Sequence, residues 1–268
     1  MKKFKKILFV SLWVCLIIGL FALMSFVNSQ EENLVCKSIE VKINQNDDVY
    51  FLDKMEVEKL IKDRGDSIVG QPRYSLSVPE LERALDSHED IAKAQVNVTI
   101  DGDVKVVVKQ RKPILRIFNS SGDSYYIDEA GKLMPLSEKY TARVLIANGN
   151  IKEAFATNYM YSIADIGKDS VKAANSCLDE LFSMATYINK DKFWQSQISQ
   201  IYVNSDKEME LIPLVGNNKI IFGDTTQMKE KFNKLMTFYT QGLSTTGYWE
   251  RYSTVNLKFK NQIVCTKK

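Results

Sequence analysis

The chain has 268 residues, 45% of them hydrophobic and 26% charged, which is enough for one or two packed cores and too much charge for a polytopic membrane protein. Lys2, Lys3, Lys5 and Lys6 precede the first apolar run, and subtracting these four from the net charge of +3 leaves the remainder at −1, with both signs mixed throughout. That distribution excludes the basic stripe and stacking aromatics of a nucleic-acid binder and points to protein partners.

Residues 7–27 carry no charge. As a helix rising about 1.5 Å per residue, the run spans the roughly 30 Å hydrocarbon core of a bilayer. The lysine cluster places residues 1–6 in the cytoplasm and everything after about Asn28 outside it. A cleaved signal peptide is the rival, but the run exceeds the usual apolar limit of roughly 15 residues for such leaders. Residues 28–35 form a stalk, polar from Asn28 to Asn33.

The first folded domain is expected over 36–110. Ile39, Val41 and Ile43 alternate with polar residues, the period of a half-buried strand. Asp53 and Glu56 have the spacing of a capping box before Val57, Leu60 and Ile61, and Gly65 ends that helix. Ser77 and Glu80 repeat the spacing before Val78, Leu81 and Leu85, which share one helical face. Val96, Val98 and Ile100, then Val104, Val106 and Val108, alternate on either side of Asp101-Gly102, predicting a tight hairpin. The order is βααββ.

A second, β-rich domain is expected over 111–268. Residues 114–118 and 125–127 read as a hairpin around the turn at 119–123, followed by the turn Asp128-Glu129-Ala130-Gly131. Asp169 caps a predicted helix whose Val171, Ala174, Leu178, Leu181, Ala185 and Ile188 recur at helical spacing. Strands follow over 198–203, 209–214 and 219–222, then a helix with Met228, Phe232, Leu235, Met236 and Tyr239 on one face. In the tail, Val255, Leu257 and Phe259 point one way and Thr254, Asn256, Lys258 and Lys260 the other, which predicts a closing strand.

Chemistry has few candidates. Catalytic motifs of the GxSxG or SxxK type are missing, and the lone histidine, His88, sits among Asp86, Ser87, Glu89 and Asp90 at a predicted helix end, where a solvated or capping role is expected. Of the four cysteines, Cys15 lies in the apolar run, leaving Cys36, Cys177 and Cys265 for at most one disulfide, with no CxxC pair for zinc. Cys177 falls on an inward helical stripe and is expected to be buried. We expect no enzyme activity, no metal and no cofactor.

The βααββ order is the layout of a POTRA domain. Beside Ile91-Ala92-Lys93-Ala94-Gln95-Val96 leading into the hairpin, three further segments carry a resemblance that covers nearly the whole chain: Val108-Lys109-Gln110-Arg111-Lys112-Pro113-Ile114, Tyr126-Ile127-Asp128-Glu129-Ala130-Gly131-Lys132-Leu133-Met134-Pro135, and Tyr252-Ser253-Thr254-Val255-Asn256-Leu257-Lys258-Phe259. They resemble the V-x-x-R-x-P junction, the turn opening the second domain and the closing Y-x-x-V-D-L-R-F strand of the FtsQ/DivIB cell-division family. Asn256 and Lys258 depart from that last pattern.

The resemblance implies an α+β protein with a single N-terminal transmembrane helix, a POTRA-like domain and a mixed β domain with flanking helices. It implies a bacterial inner-membrane protein with a periplasmic body, acting at the division site as a non-enzymatic scaffold. Its partners would be FtsB/FtsL-type coiled-coil division proteins, coupled to septal peptidoglycan synthesis, with other division proteins reached through the POTRA-like domain or the membrane helix. Family partners add a strand to an exposed edge, a mode in which a partner backbone satisfies free N–H and C=O groups. On this chain the matching positions are Tyr252, Ser253, Thr254, Val255, Asn256, Leu257, Lys258, Phe259 and Lys260, preceded by the candidate anchors Tyr248 and Trp249. The alternative is a membrane-anchored, periplasmic chaperone-like module whose POTRA sheet catches extended clients.

Overall fold

The computed structural model describes residues 12–22, 35–44, 50–63, 68–158, 162–166 and 176–268. Residues 12–22 are helical, with Leu12, Trp13, Phe21 and their apolar neighbours exposed, while the rest of the 7–27 run lies outside the described residues. Among the described residues no helix is long and apolar enough to cross a membrane. The chain divides into two compact units, Met1–Gln110 and Arg111–Lys268.

In the first unit, the strand β1 (Ser38–Asn44) is followed by helices α1 (Lys54–Lys62) and α2 (Val78–Asp86) and by strands β2 (Ile91–Val98) and β3 (Asp103–Gln110). The sheet order is β1-β3-β2, with β1 parallel and β2 antiparallel to β3. The alternating valines of β3 explain its central place: Val104, Val106 and Val108 are fully buried beneath Val57, Ile61, Leu81 and Leu85 of the helices. The Asp53–Glu56 capping box forms as expected, with both reciprocal bonds present. Ser77, by contrast, makes no side-chain cap, and Pro79 in the first turn lacks an N–H that would need one. Gln110 at the end of β3 reaches back to accept the amides of Phe51 and Leu52, at 2.9 and 3.0 Å.

The second unit opens with the hairpin β4 (Pro113–Phe118) and β5 (Ser124–Asp128). Its turn is built by Asn119, whose side-chain oxygen accepts the amides of Ser121 and Asp123. Then come the short β6 (Leu133–Met134) and β7 (Leu145–Gly149), helical turns at Phe155–Asn158 and Ile163–Ile166, and helices α3 (Leu178–Lys190) and α4 (Lys192–Gln197). Strands β8 (Ile198–Val203), β9 (Met209–Pro213) and β10 (Lys219–Gly223) precede helix α5 (Met228–Thr237), a π-helical segment Phe238–Leu243, and strands β11 (Tyr252–Asn256) and β12 (Val264–Lys267).

Among the described residues these strands form one sheet of order β12-β11-β10-β9-β8-β7-β4-β5-β6. The helix expected from Asp169 through Ile188 does not run continuously: Ser176 and Cys177 are not helical, Cys177 takes the N-cap position of α3, and Asp169, Val171 and Ala174 lie outside the described residues. The apolar stripe from Leu178 onward does face the core, as do Phe232 and Leu235 of α5. Phe232 stacks on Tyr187 at 4.5 Å and meets Trp194 at 4.9 Å and Phe222 at 5.0 Å, so one ring ties α5 to α3, α4 and the sheet.

Two of the short segments singled out in the sequence meet in space. Asp128 is buried, accepts the amides of Ala130 (3.0 Å) and Lys132 (2.8 Å), and pairs with Arg111 at 3.5 Å. Arg111 also donates to the Leu133 carbonyl at 2.9 Å. Gly131 closes the turn at φ +74°, where an added Cβ would press on the Phe182 ring at 3.3 Å. The junction arginine and the turn aspartate are thus two halves of one fastening.

Candidate partner-binding edge

The closing segment lies inside the sheet. On one side β11 pairs in parallel with β10, Ile220 opposite Val255, and on the other it pairs antiparallel with β12, Val255 opposite Cys265. Tyr252–Asn256 therefore has ladder partners on both flanks and is an inner strand, whereas the sequence pattern suggested an exposed edge there. Ser253 sits at an irregularity in the β11–β12 ladder and donates its hydroxyl to the Thr266 carbonyl at 3.2 Å, and Thr254 lies opposite Thr266.

The strand also stops earlier than its alternation suggests. Asn256 accepts the Lys258 amide on its side-chain oxygen at 3.0 Å, a local bond that competes with the ladder. Leu257 is fully buried and still donates to Ile221 at 2.9 Å, whereas Phe259 is 45% exposed and does not join Val255 and Leu257 in the core. Lys234 of α5 donates to the carbonyls of Leu257 and Phe259, and Lys258 is paired with Glu208. Lys260 is exposed. The continuation past Asn256 thus has two of its carbonyls already engaged.

The aromatic candidates divide. Trp249 and Tyr252 are half-buried against the core, Trp249 5.4 Å from Tyr239 and Tyr252 6.1 Å from Phe238. Tyr248 is 45% exposed, with the Arg251 guanidinium 4.5 Å from its ring centre.

At this end of the sheet the outer strand is β12, beyond which no further strand lies among the described residues. Lys268 donates its amide to the Arg251 carbonyl, which fixes the phase of the strand. By antiparallel alternation Thr266 and Val264 turn their backbone groups toward β11, and Cys265 and Lys267 turn theirs outward. Ile263 and Cys265 pack against the core, and Val264 is 42% exposed. Sequence reasoning missed Val264, Cys265, Thr266 and Lys267; the signal available was a four-residue run with a single β-branched apolar residue.

Burial, followed by the Glu153 carboxylate, pushes the Cys177 thiol up to about 12, which keeps it protonated and un-nucleophilic. Cys36, Cys177 and Cys265 are all free thiols. His88 accepts the Asp90 amide on Nδ1 at 3.3 Å, a local turn contact. Among the described residues no group of three or more His, Cys, Asp or Glu side chains is placed to hold a metal ion.

Comparison with known proteins gives two domain matches. Residues 34–109 match the POTRA-like domain model, and residues 112–266 match the model described as FtsQ/DivIB, C-terminal related. No curated protein matches the chain. The second match covers more than half of the 268 residues and includes strands β4 to β11 and β12 as far as Thr266. The chain belongs to the FtsQ/DivIB, C-terminal related family of cell-division proteins, with a POTRA-like domain preceding the family domain.

Proposed function

We propose that this protein is a non-enzymatic scaffold of the bacterial division complex. Residues 7–27 anchor it in the inner membrane as a single pass, with residues 1–6 cytoplasmic and the body periplasmic at the division site. It captures FtsB/FtsL-type coiled-coil partners by strand addition and couples them to septal peptidoglycan synthesis. The observation that carries the reading is the outer edge of β12, where Cys265 and Lys267 present backbone N–H and C=O groups with no strand beyond them among the described residues. Such an edge is either protected or used, and lysine at position 267 discourages indiscriminate pairing while leaving the backbone available.

The test is affinity capture from membranes with the tagged full chain and its Lys267→Pro variant. Proline removes the outward N–H of position 267 and leaves the inward ladder bonds of Thr266 and Lys268 in place. Recovery of a small coiled-coil division complex by the parent, and its loss in a folded variant, supports the reading. Equal recovery by both moves the site elsewhere. A heterogeneous set of unfolded clients favours the chaperone-like alternative.

A further inference from the structure

The small sheet has two outer edges, and they are treated oppositely. At β2, alternation turns the amides of Ala94 and Val96 outward, and both are taken by carboxylates of α2: Asp86 accepts from Ala94 at 2.6 Å and Glu82 accepts from Val96 at 2.8 Å. Spaced four apart on one helical face, these two side chains stand in for a neighbouring strand and close that edge. At β1, Cys36 exchanges backbone bonds with Gly70 and Gln71, which covers the start of the strand. From Ser38 to Asn44 no strand lies on the side of β1 away from β3 among the described residues.

The phase of β1 follows from the same bonds. Cys36 turns outward to Gly70 and Gln71, and Lys37 turns inward to Gly102, so Ser38, Glu40, Lys42 and Asn44 present backbone groups to the open edge. Their side chains are exposed, while Ile39, Val41 and Ile43 face the helices, with Ile39 and Ile43 only half-buried.

We propose that this edge pairs with β1 of a second copy of the chain, antiparallel about a two-fold axis at Val41. Val41 then faces its symmetry mate, Glu40 lies opposite Lys42 of the other copy, Ile39 opposite Ile43, and Ser38 opposite Asn44. Every pair matches in character, and each Glu40–Lys42 pair falls at a position where both residues direct backbone groups across the interface. Competing registers fail. A slip of one residue sets outward backbone groups against inward ones, and a slip of two brings Glu40 against Glu40 or Lys42 against Lys42. The chosen register also puts the helices of both copies on one face of a continuous six-stranded sheet and covers the half-exposed isoleucines. This self-association is independent of the β12 edge.

The test uses the full chain in detergent solution and two exposed substitutions, Glu40→Lys and Lys42→Glu. Sedimentation of the parent is expected to show a reversible monomer–dimer equilibrium. Either variant alone sets like charges opposite each other twice per dimer and weakens association roughly tenfold. Mixing the two variants restores it, because each copy then supplies the complement of the other, and restoration also shows that both are folded. Hydrogen exchange adds a site-specific readout: dimerisation slows the amides of Glu40 and Lys42 and leaves those of Ala94 and Val96 unchanged. A parent that stays monomeric, variants that associate as the parent does, or a mixture that fails to recover overturns the proposal.

Discussion

Replacing Asp128 separates two contributions that the buried turn combines. Asp128→Ala removes the acceptor for two backbone amides and strips Arg111, itself largely buried, of its carboxylate. Two buried amides left without an acceptor come to about 3 kcal/mol. Asp128→Asn keeps an oxygen for the amides and loses only the charge. Burial is the largest influence on this carboxyl and raises its pKa, outweighing the opposing effects of the Lys132 amide, Arg111 and the Ala130 amide. The charged form is thus not favoured by folding, so the asparagine variant should lie within about 1 kcal/mol of the parent. Urea unfolding followed by tryptophan fluorescence suits the question, since Trp194 is buried in this same unit. With a slope of about 2 kcal/mol/M, Asp128→Ala should lower the midpoint by about 1.5 M and Asp128→Asn by less than about 0.5 M. An asparagine variant as unstable as the alanine variant would refute the reasoning and give the Arg111 ion pair the leading role.

Three other outcomes follow from particular contacts. Asp224 has its pKa lowered, first by the hydrogen bond from Lys231 and then by that from Thr226. Its stabilising contribution is therefore present above the ordinary carboxylate range and is lost as pH falls through that range toward the depressed folded value, so Asp224→Asn should flatten the acid limb of a stability–pH profile. Gly149 has φ +102° and an added Cβ would collide with the Val203 carbonyl, whereas Gly122 has φ +93° with open space around it, so Gly149→Ala should destabilise by about 2 kcal/mol or more in thermal unfolding and Gly122→Ala by only about 1 kcal/mol from φ alone; equal losses would show that crowding adds nothing. Leu257→Pro removes a bond to Ile221 and disturbs a fully buried position, so circular dichroism should show lost stability, making it a folding lesion rather than a probe of docking.

The legible parts of the fold are those where local chemistry and burial agree. The Asp53–Glu56 box, the alternating valines of β3 and the Asn119 turn each act over a few residues, and each formed where the pattern placed it. Strand order is a different kind of information. Nothing within Tyr252–Asn256 reveals that α5 carries the chain over to lay β11 parallel to β10, or that a later segment folds back to cover its other flank. The β12 strand was illegible because an edge strand need bury only one face, and Val264 and Thr266 leave theirs exposed. Phe259 continues the alternation of Val255 and Leu257 in sequence but not in space, since the Asn256 side chain and Lys234 take the backbone out of the ladder. β7 and α4 were not read from the sequence.

The most direct test of strand capture at β12 is photo-crosslinking in dividing cells from a benzophenone residue placed at Val264, on the exposed face of the open edge. The account predicts adducts with one small coiled-coil division protein, abolished by Lys267→Pro, and no such adducts from a benzophenone at Leu136, which is exposed just beyond β6 at the opposite end of the sheet. Equal adducts from both positions, or none from Val264 while the complex still forms, would contradict it.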